Sequence, residues 1–171
     1  MANDLAETQE AIETIRNLIK GIDIAMLTSV TEQGLVSRPM KTQEVEFDGD
    51  LWFLTMKDTD KYDELIHNPN VNVAYVGKSY VSIRGTVELV DDRQKIKEFW
   101  NMAYEKFLQT SSDDPNLILI KVKVETAEYW EMGNPMKLVK QLYNKLTGNQ
   151  SDEPKMNHII DLENMEETLI Q

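Results

Sequence analysis

Apolar residues near the start of the chain recur at helical spacing. Leu5, Ile12, Ile15, Leu18 and Ile19 fall on one face, which predicts a helix from about Leu5 to Lys20. Asn3 or Asp4 can cap its start, and Gly21 can end it. The texture then changes to short, partly β-branched runs. IDIAMLTSV reads as a strand and TEQG as a turn, followed by LVSRPMKTQEVEF, DGD and LWFLTM. Asp48-Gly49 between two strand-like runs is a hairpin signal, because a tight turn needs positive φ. The three runs together predict an antiparallel meander. Pro39 cannot donate to a ladder and marks an edge, a bulge or an opening.

KDTDK follows as a polar loop, and KYDELIHN as a short helix ended by Asn68-Pro69. VNVAYV and YVSIRGTVELV read as strands joined by GKS. Val81, Ile83 and Val87 share a face, and Gly85 marks a bulge or a close backbone approach. DDRQKIKEFWNMAYEKFL predicts one continuous helix, capped by Asp91 or Asp92, with Ile96, Phe99, Trp100, Ala103 and Phe107 as its apolar stripe. LILIKVKVETAEYW is a long final strand. PMKLVKQLYNKLTG predicts a further helix, and the remaining tail begins with linker composition before a short amphipathic stretch. About six strands with helices between and after them, and no β-α-β alternation, argue against a doubly wound sheet. Antiparallel strands closed into a small barrel would lose their unpaired edges. The fold class expected is mainly β (α+β).

Composition narrows the function. The chain has 171 residues, 41% of them hydrophobic and 28% charged, the proportions of one ordinary folded unit. It contains no cysteine, which excludes a disulfide framework, a thiolate metal site and a Cys nucleophile. The MANDLAETQE start has neither a basic region nor an apolar stretch, and no apolar run approaches the ~20 residues needed to cross a bilayer. A cytoplasmic protein without membrane partners is expected. A net charge of −12 repels phosphate backbones, so no nucleic-acid partner is expected either. From Ser151 to Gln171 the chain carries six acids and one Lys, which reads as solubility.

The usual catalytic sets are missing. His67 and His158 have no metal-ligand spacing, and G-x-S-x-G, Walker A and G-x-G-x-x-G are absent. The acids flank turns and caps, where carboxylates are ordinarily solvated. If the protein is an enzyme, an external cofactor carries the chemistry. Two polar clusters interrupt the apolar pattern: SRPMK, residues 37–41, and TMKDTDK, residues 55–61. On neighbouring strands of a meander they would offer Arg38, Lys61 and the hydroxyls of Thr55 and Thr59. A dianionic phosphate suits such a set: a bidentate Arg, a point-charge Lys and hydroxyl donors. The alternative, two surface cations paired with nearby acids, fits the spacing equally well.

The ordered run IDIAMLTSV, RPMK, DGDLWFLT, DTDK, NPNVNVAYV, YVSIRGTVELV, EFW and AEYWE resembles the pyridoxamine 5′-phosphate oxidase-like split-barrel flavoproteins, closest to their general stress protein branch. The likeness covers roughly Ile22 to Trp130. It implies an antiparallel six-stranded split β-barrel of Greek-key type with flanking helices, spanning residues 1–148, and an acidic, partly ordered tail over 149–171. It also implies a homodimer with FMN at its interface, FAD being the alternative. Carried over, Arg38 and Lys61 hold the flavin phosphate and Thr59 supplies a hydroxyl beside them. Pro39 and Met40 run along the ring, and Leu54 and Thr55 touch it by backbone and hydroxyl. Trp130 reaches it from the partner subunit, and Tyr80 contacts it as in some relatives. Two departures stand against pyridoxamine phosphate oxidation. Gln43 replaces a Lys of the true oxidases, and residues 133–138 contain no Arg-x-His pair.

The resulting expectation is an FMN-binding oxidoreductase exchanging hydride or electrons with a small molecule, a nicotinamide nucleotide among the candidates. A non-catalytic stress protein that stores or senses flavin is the second reading. A haem or deazaflavin binder is the third.

Overall fold

The computed structural model describes residues 2–43, 47–131 and 157–163. Helix α1 (Ala2–Ile19) begins slightly before its predicted start and ends before Gly21, whose φ of 77° suits glycine. Strand β1 (Ile24–Thr31) turns through Glu32 and Gln33 into β2 (Gly34–Lys41), with Arg38 opposite Leu27 and Met40 opposite Ala25. Strand β3 (Asp50–Met56) precedes α2 (Asp60–His67), which Asn68 ends as predicted. Strands β4 (Asn70–Val76) and β5 (Ser79–Val90) form a hairpin. Helices α3 (Arg93–Phe99) and α4 (Met102–Leu108) lead to the long β6 (Leu117–Glu131). A last strand, β7 (Asn157–Asp161), pairs with β6.

All pairings are antiparallel, in the order β2-β1-β4-β5-β6-β3, with β7 alongside β6. This architecture corrects the expectation at three points. The sheet has seven strands, not six, because part of the stretch read as tail forms β7. It is not closed: β2 and β3 end the path and share no ladder among the described residues. There is also no three-stranded meander. After β2 the chain crosses over, and β3 pairs with β6, Asp50 opposite Lys123 and Met56 opposite Leu117. Gly49 does take the positive φ that Asp48-Gly49 signals, at 117°, but the turn delivers the chain to a different neighbour.

The core follows from strand alternation. Ala25, Leu27, Val73, Ile83 and Val122 point to one side, where Ala11 and Ile15 of α1 cover them with Phe53. Each of the larger side chains among these contributes about 1.5–3 kcal/mol on burial. A second cluster joins Leu54, Leu117 and Leu119 to Ile96 and Tyr104. It also corrects the single long helix. Trp100 and Asn101 are extended, and the Asn101 side chain accepts the N–H of Ala103 (2.9 Å) and Tyr104 (3.1 Å), starting α4 afresh. The break turns Tyr104 inward and leaves Phe107 43% exposed. The Tyr104 hydroxyl donates to the Lys41 carbonyl at 2.7 Å, tying α4 to the end of β2.

Gly85 behaves as predicted. The β5–β6 register shifts between Arg84 and Gly85. A Cβ at Gly85 would collide with the Lys123 carbonyl oxygen and stand 2.9 Å from Val122 Cγ1. The helix expected over residues 135–148 lies outside the described residues, as does the end of the tail.

Candidate functional site

Helix α2 lies against β1 at the β2 end of the sheet, and this contact assembles the site. Thr59 caps the helix: its hydroxyl donates to the Met56 carbonyl at 2.8 Å and accepts the Tyr62 N–H at 3.4 Å. Lys61 and Glu64 then fall three residues apart on one helical face. That face meets Ser29 of β1 and Arg38 of β2.

The contacts are specific. Arg38 donates through Nη1 to Glu64 Oε2 at 2.6 Å and through Nη2 to Glu64 Oε1 at 2.7 Å. Its Nη1 also reaches Ser29 Oγ at 3.2 Å, and the fully buried Ser29 hydroxyl donates to Glu64 Oε2 at 2.9 Å. The Arg38 hydrogen bond holds the Glu64 carboxyl below its ordinary range against the opposing effect of burial, and Ser29 helps. Glu64 in turn raises Arg38, which stays charged.

Lys61 is placed differently. Its ammonium donates to the Met40 thioether sulfur at 3.2 Å, a weak acceptor. Burial first, and the Arg38 charge second, pull it down to about 8, while Glu64 pushes the other way. Two cations therefore sit together, and among the described residues the nearby Glu64 carboxylate is bonded to only one of them. Arg38 and Lys61 do converge, but through a helix folded back on β1 rather than through adjacent strands of a meander.

The other predicted residues divide. Met40 is 1% exposed, facing the core beside Lys61. Pro39 points to the opposite, outer side, next to Met26. Leu54 is buried in the second cluster under α3 and α4, whereas Thr55 is buried on the other side of β3. Tyr80 and Trp130 are cross-strand partners on β5 and β6, strands removed from Arg38. Gln43 lines a cavity of about 170 Å³ between α1 and the β2–β3 connection, with Arg16, Lys20, Trp52 and Tyr75. Its Nε2 is buried without a hydrogen-bond partner among the described residues. His67 is exposed, its Nδ1 2.7 Å from the Asp63 carbonyl. The described residues contain no metal-ligating cluster, and no described helix is long and apolar enough to cross a membrane.

Sequence reasoning missed Ser29 and Glu64. Nothing in IAMLTSV singles out Ser29. Glu64 had a signal, its i+3 spacing from Lys61 in KYDELIHN.

Among the described residues, one face of the sheet also carries exposed apolar side chains. Ile24, Met26 and Val30 of β1, Leu35 of β2, Val76 of β4 and Tyr80 of β5 are exposed apolar residues. Register makes many of them neighbours: Val30 with Leu35, Met26 with Pro39 and Ala74, and Val76 with Tyr80.

Comparison with known proteins places this architecture. General stress protein 26 of Bacillus subtilis (strain 168) is 26% identical over 85 residues, which span 46% of this chain and 60% of that protein. The solved structure of General Stress Protein 26 from Bacillus anthracis str. Sterne superposes with a TM-score of 0.60 at 28% identity, covering 70% of this chain and 91% of that one. The general stress FMN/FAD binding protein of the phytopathogen Xanthomonas citri superposes at 0.63 with 25% identity, covering 74% and 92%. The family model described as pyridoxamine 5′-phosphate oxidase like matches residues 10–152, most of the sheet and its flanking helices. On that match the chain belongs to the pyridoxamine 5′-phosphate oxidase-like family.

Proposed function

We propose that this chain is a flavin-binding stress protein that takes FMN, with FAD as the alternative, and works as a homodimer in the cytoplasm. Lys61 carries this reading: it is a partly buried ammonium beside a guanidinium, hydrogen-bonded to a thioether. Burying a cation without an ionic partner is unfavourable, and a phosphate oxygen would supply the partner it lacks among the described residues. Arg38 and Lys61 hold the phosphate in this reading, and the Thr59 hydroxyl stands beside them. Pro39, Met40, Leu54 and Thr55 line the ring. For Met40 and Leu54, whose side chains are in the core, contact is through backbone. Tyr80 and Trp130 are assigned to the ring held by the other protomer, since their own Arg38 is strands away.

The exposed apolar side chains of the sheet support the dimer. Leu35 is 73% exposed and Val76 65%, on a face where neighbouring strands present more apolar side chains. Exposed apolar side chains grouped on either side of the polar Ser37–Thr28–Asn72 row favour an interaction site. The flavin ring fits such a boundary, because ligand sites favour interfaces. When bound, a flavin supplies hydride or single-electron exchange with a small donor or acceptor, for which a nicotinamide nucleotide is a candidate. This chain's residues contribute binding and orientation.

Purified protein should show a flavin absorbance spectrum or acquire one with added FMN, and Arg38→Ala with Lys61→Ala should abolish it. Size measurement should give a dimer. A colourless protein that ignores both FMN and FAD would defeat the reading. Binding without turnover with reduced nicotinamide nucleotides and an acceptor would favour the storage or sensing role.

A further inference from the structure

We infer that Glu64 sets the charge class of the anion accepted between Arg38 and Lys61, disfavouring a phosphomonoester dianion relative to a phosphodiester monoanion. This inference rests on the phosphate-binding reading just given. A carboxylate and a phosphate present the same face to a guanidinium, two oxygens against two N–H groups. Glu64 already occupies that face, at 2.6 and 2.7 Å.

Glu64 is not a loosely solvated surface acid. Its side chain is only 18% exposed, and the buried Ser29 hydroxyl anchors Oε2 at 2.9 Å. It sits on the same helical face as Lys61, and its charge acts on both cations. Asp60, one turn earlier and exposed, adds a weaker negative influence on Arg38.

The local charge count follows. Arg38 and Lys61 contribute two positive charges and Glu64 removes one. A ligand phosphate with one negative charge balances the cluster. A phosphomonoester, with a second pKa near 6, carries close to two charges at neutral pH and leaves the excess facing a fixed carboxylate. FMN ends in a phosphomonoester. Each phosphate of the FAD pyrophosphate is singly charged, so the phosphate gripped by the cluster brings one charge and the second charge stands one bridging oxygen further out. Glu64 thereby acts as a specificity-determining residue between two ligands that share one ring.

The test compares wild type with Glu64→Gln, and with Glu64→Ala as a second neutral variant should the first not fold. Affinities for FMN, FAD and riboflavin are read by fluorescence titration, with circular dichroism verifying the fold. The FMN-to-FAD affinity ratio should rise about tenfold or more in the neutral variants, while riboflavin is unaffected. An unchanged ratio, or weaker FMN binding in a folded variant, overturns the inference. If no form binds any flavin, the flavin reading fails, and the charge argument is tested separately. Phenyl phosphate should then raise the Tm of the neutral variants more than that of wild type, and diphenyl phosphate should not discriminate. The absence of that difference overturns the inference independently of the flavin.

Discussion

Replacing Lys61 with Met should make the ligand-free protein more stable at neutral pH. In wild type a charged ammonium is held where it is partly desolvated and beside Arg38, at a cost. The fall from the ordinary 10.5 to about 8 corresponds to roughly 3 kcal/mol of preference for the neutral amine, at about 1.4 kcal/mol per pKa unit. Residual solvent access reduces this to about 1.5 kcal/mol. Met has a similar length, carries no charge and can keep the contact with Met40. For a chain of this size, about 1.5 kcal/mol raises Tm by roughly 3–6 °C. The folded-state value lies below the unfolded one. Between about 8 and 10.5 the unfolded chain therefore holds more protons, and this contribution to stability rises with pH. The penalty is full below about pH 8 and gone above pH 10.5, so the gap between Lys61→Met and wild type should close over that window. Thermal melts of both proteins across the range, in phosphate-free buffer, measure it. A variant that melts below wild type at neutral pH, or a gap that stays constant through alkaline pH, would refute the reasoning.

Gly85→Ala should lower stability by about 3 kcal/mol, because the added Cβ meets the Lys123 backbone at the bulge and that backbone cannot give way without breaking the β5–β6 ladder. A wild-type urea midpoint would show that the two strands part easily. Tyr104→Phe should cost about 1–2 kcal/mol, since it removes the hydroxyl bonded to the Lys41 carbonyl in a buried site. Amide exchange in α4 should then rise more than in α1, and a uniform response would count against a local tie.

Much of the sheet was legible because it depends on alternation, which local sequence carries. The β1–β2 and β4–β5 hairpins, the Gly85 bulge and the Asn68-Pro69 stop all lie where their residues put them. The misreadings share a physical cause: each needed information from a distant part of the chain. Asp48-Gly49 specifies a positive φ at Gly49 but not which strand receives the next segment, and β3 pairs with β6 from Asp50 opposite Lys123 to Met56 opposite Leu117. Strand β7 is only five residues, NHIID, in a stretch of linker composition, and β6 gives it a ladder to join. The break at Trp100 and Asn101 is different, because Asn101 is a competent cap inside a periodic pattern. The apolar stripe hid that local signal.

Arg38 and Lys61 come close by a route other than the one their sequence positions suggest. The sequence places Arg38 and Lys61 on adjacent strands of a meander, yet β3 shares no ladder with β2 among the described residues, and α2 brings Lys61 back to β1. What made the pairing legible was charge: two cations flanking hydroxyls, in a chain of net charge −12, ask for an anion. Of the two cations, one is paired with a nearby acid, as the alternative reading has it. Glu64 satisfies Arg38 through both oxygens, while Lys61 is left with sulfur. A carboxylate that only neutralised surface charge would sit in solvent between both cations. One anchored to buried Ser29 and committed to Arg38 leaves the cluster a single positive charge to offer. The ligand that charge selects is thus decided on the helix that brings Lys61, three residues further along.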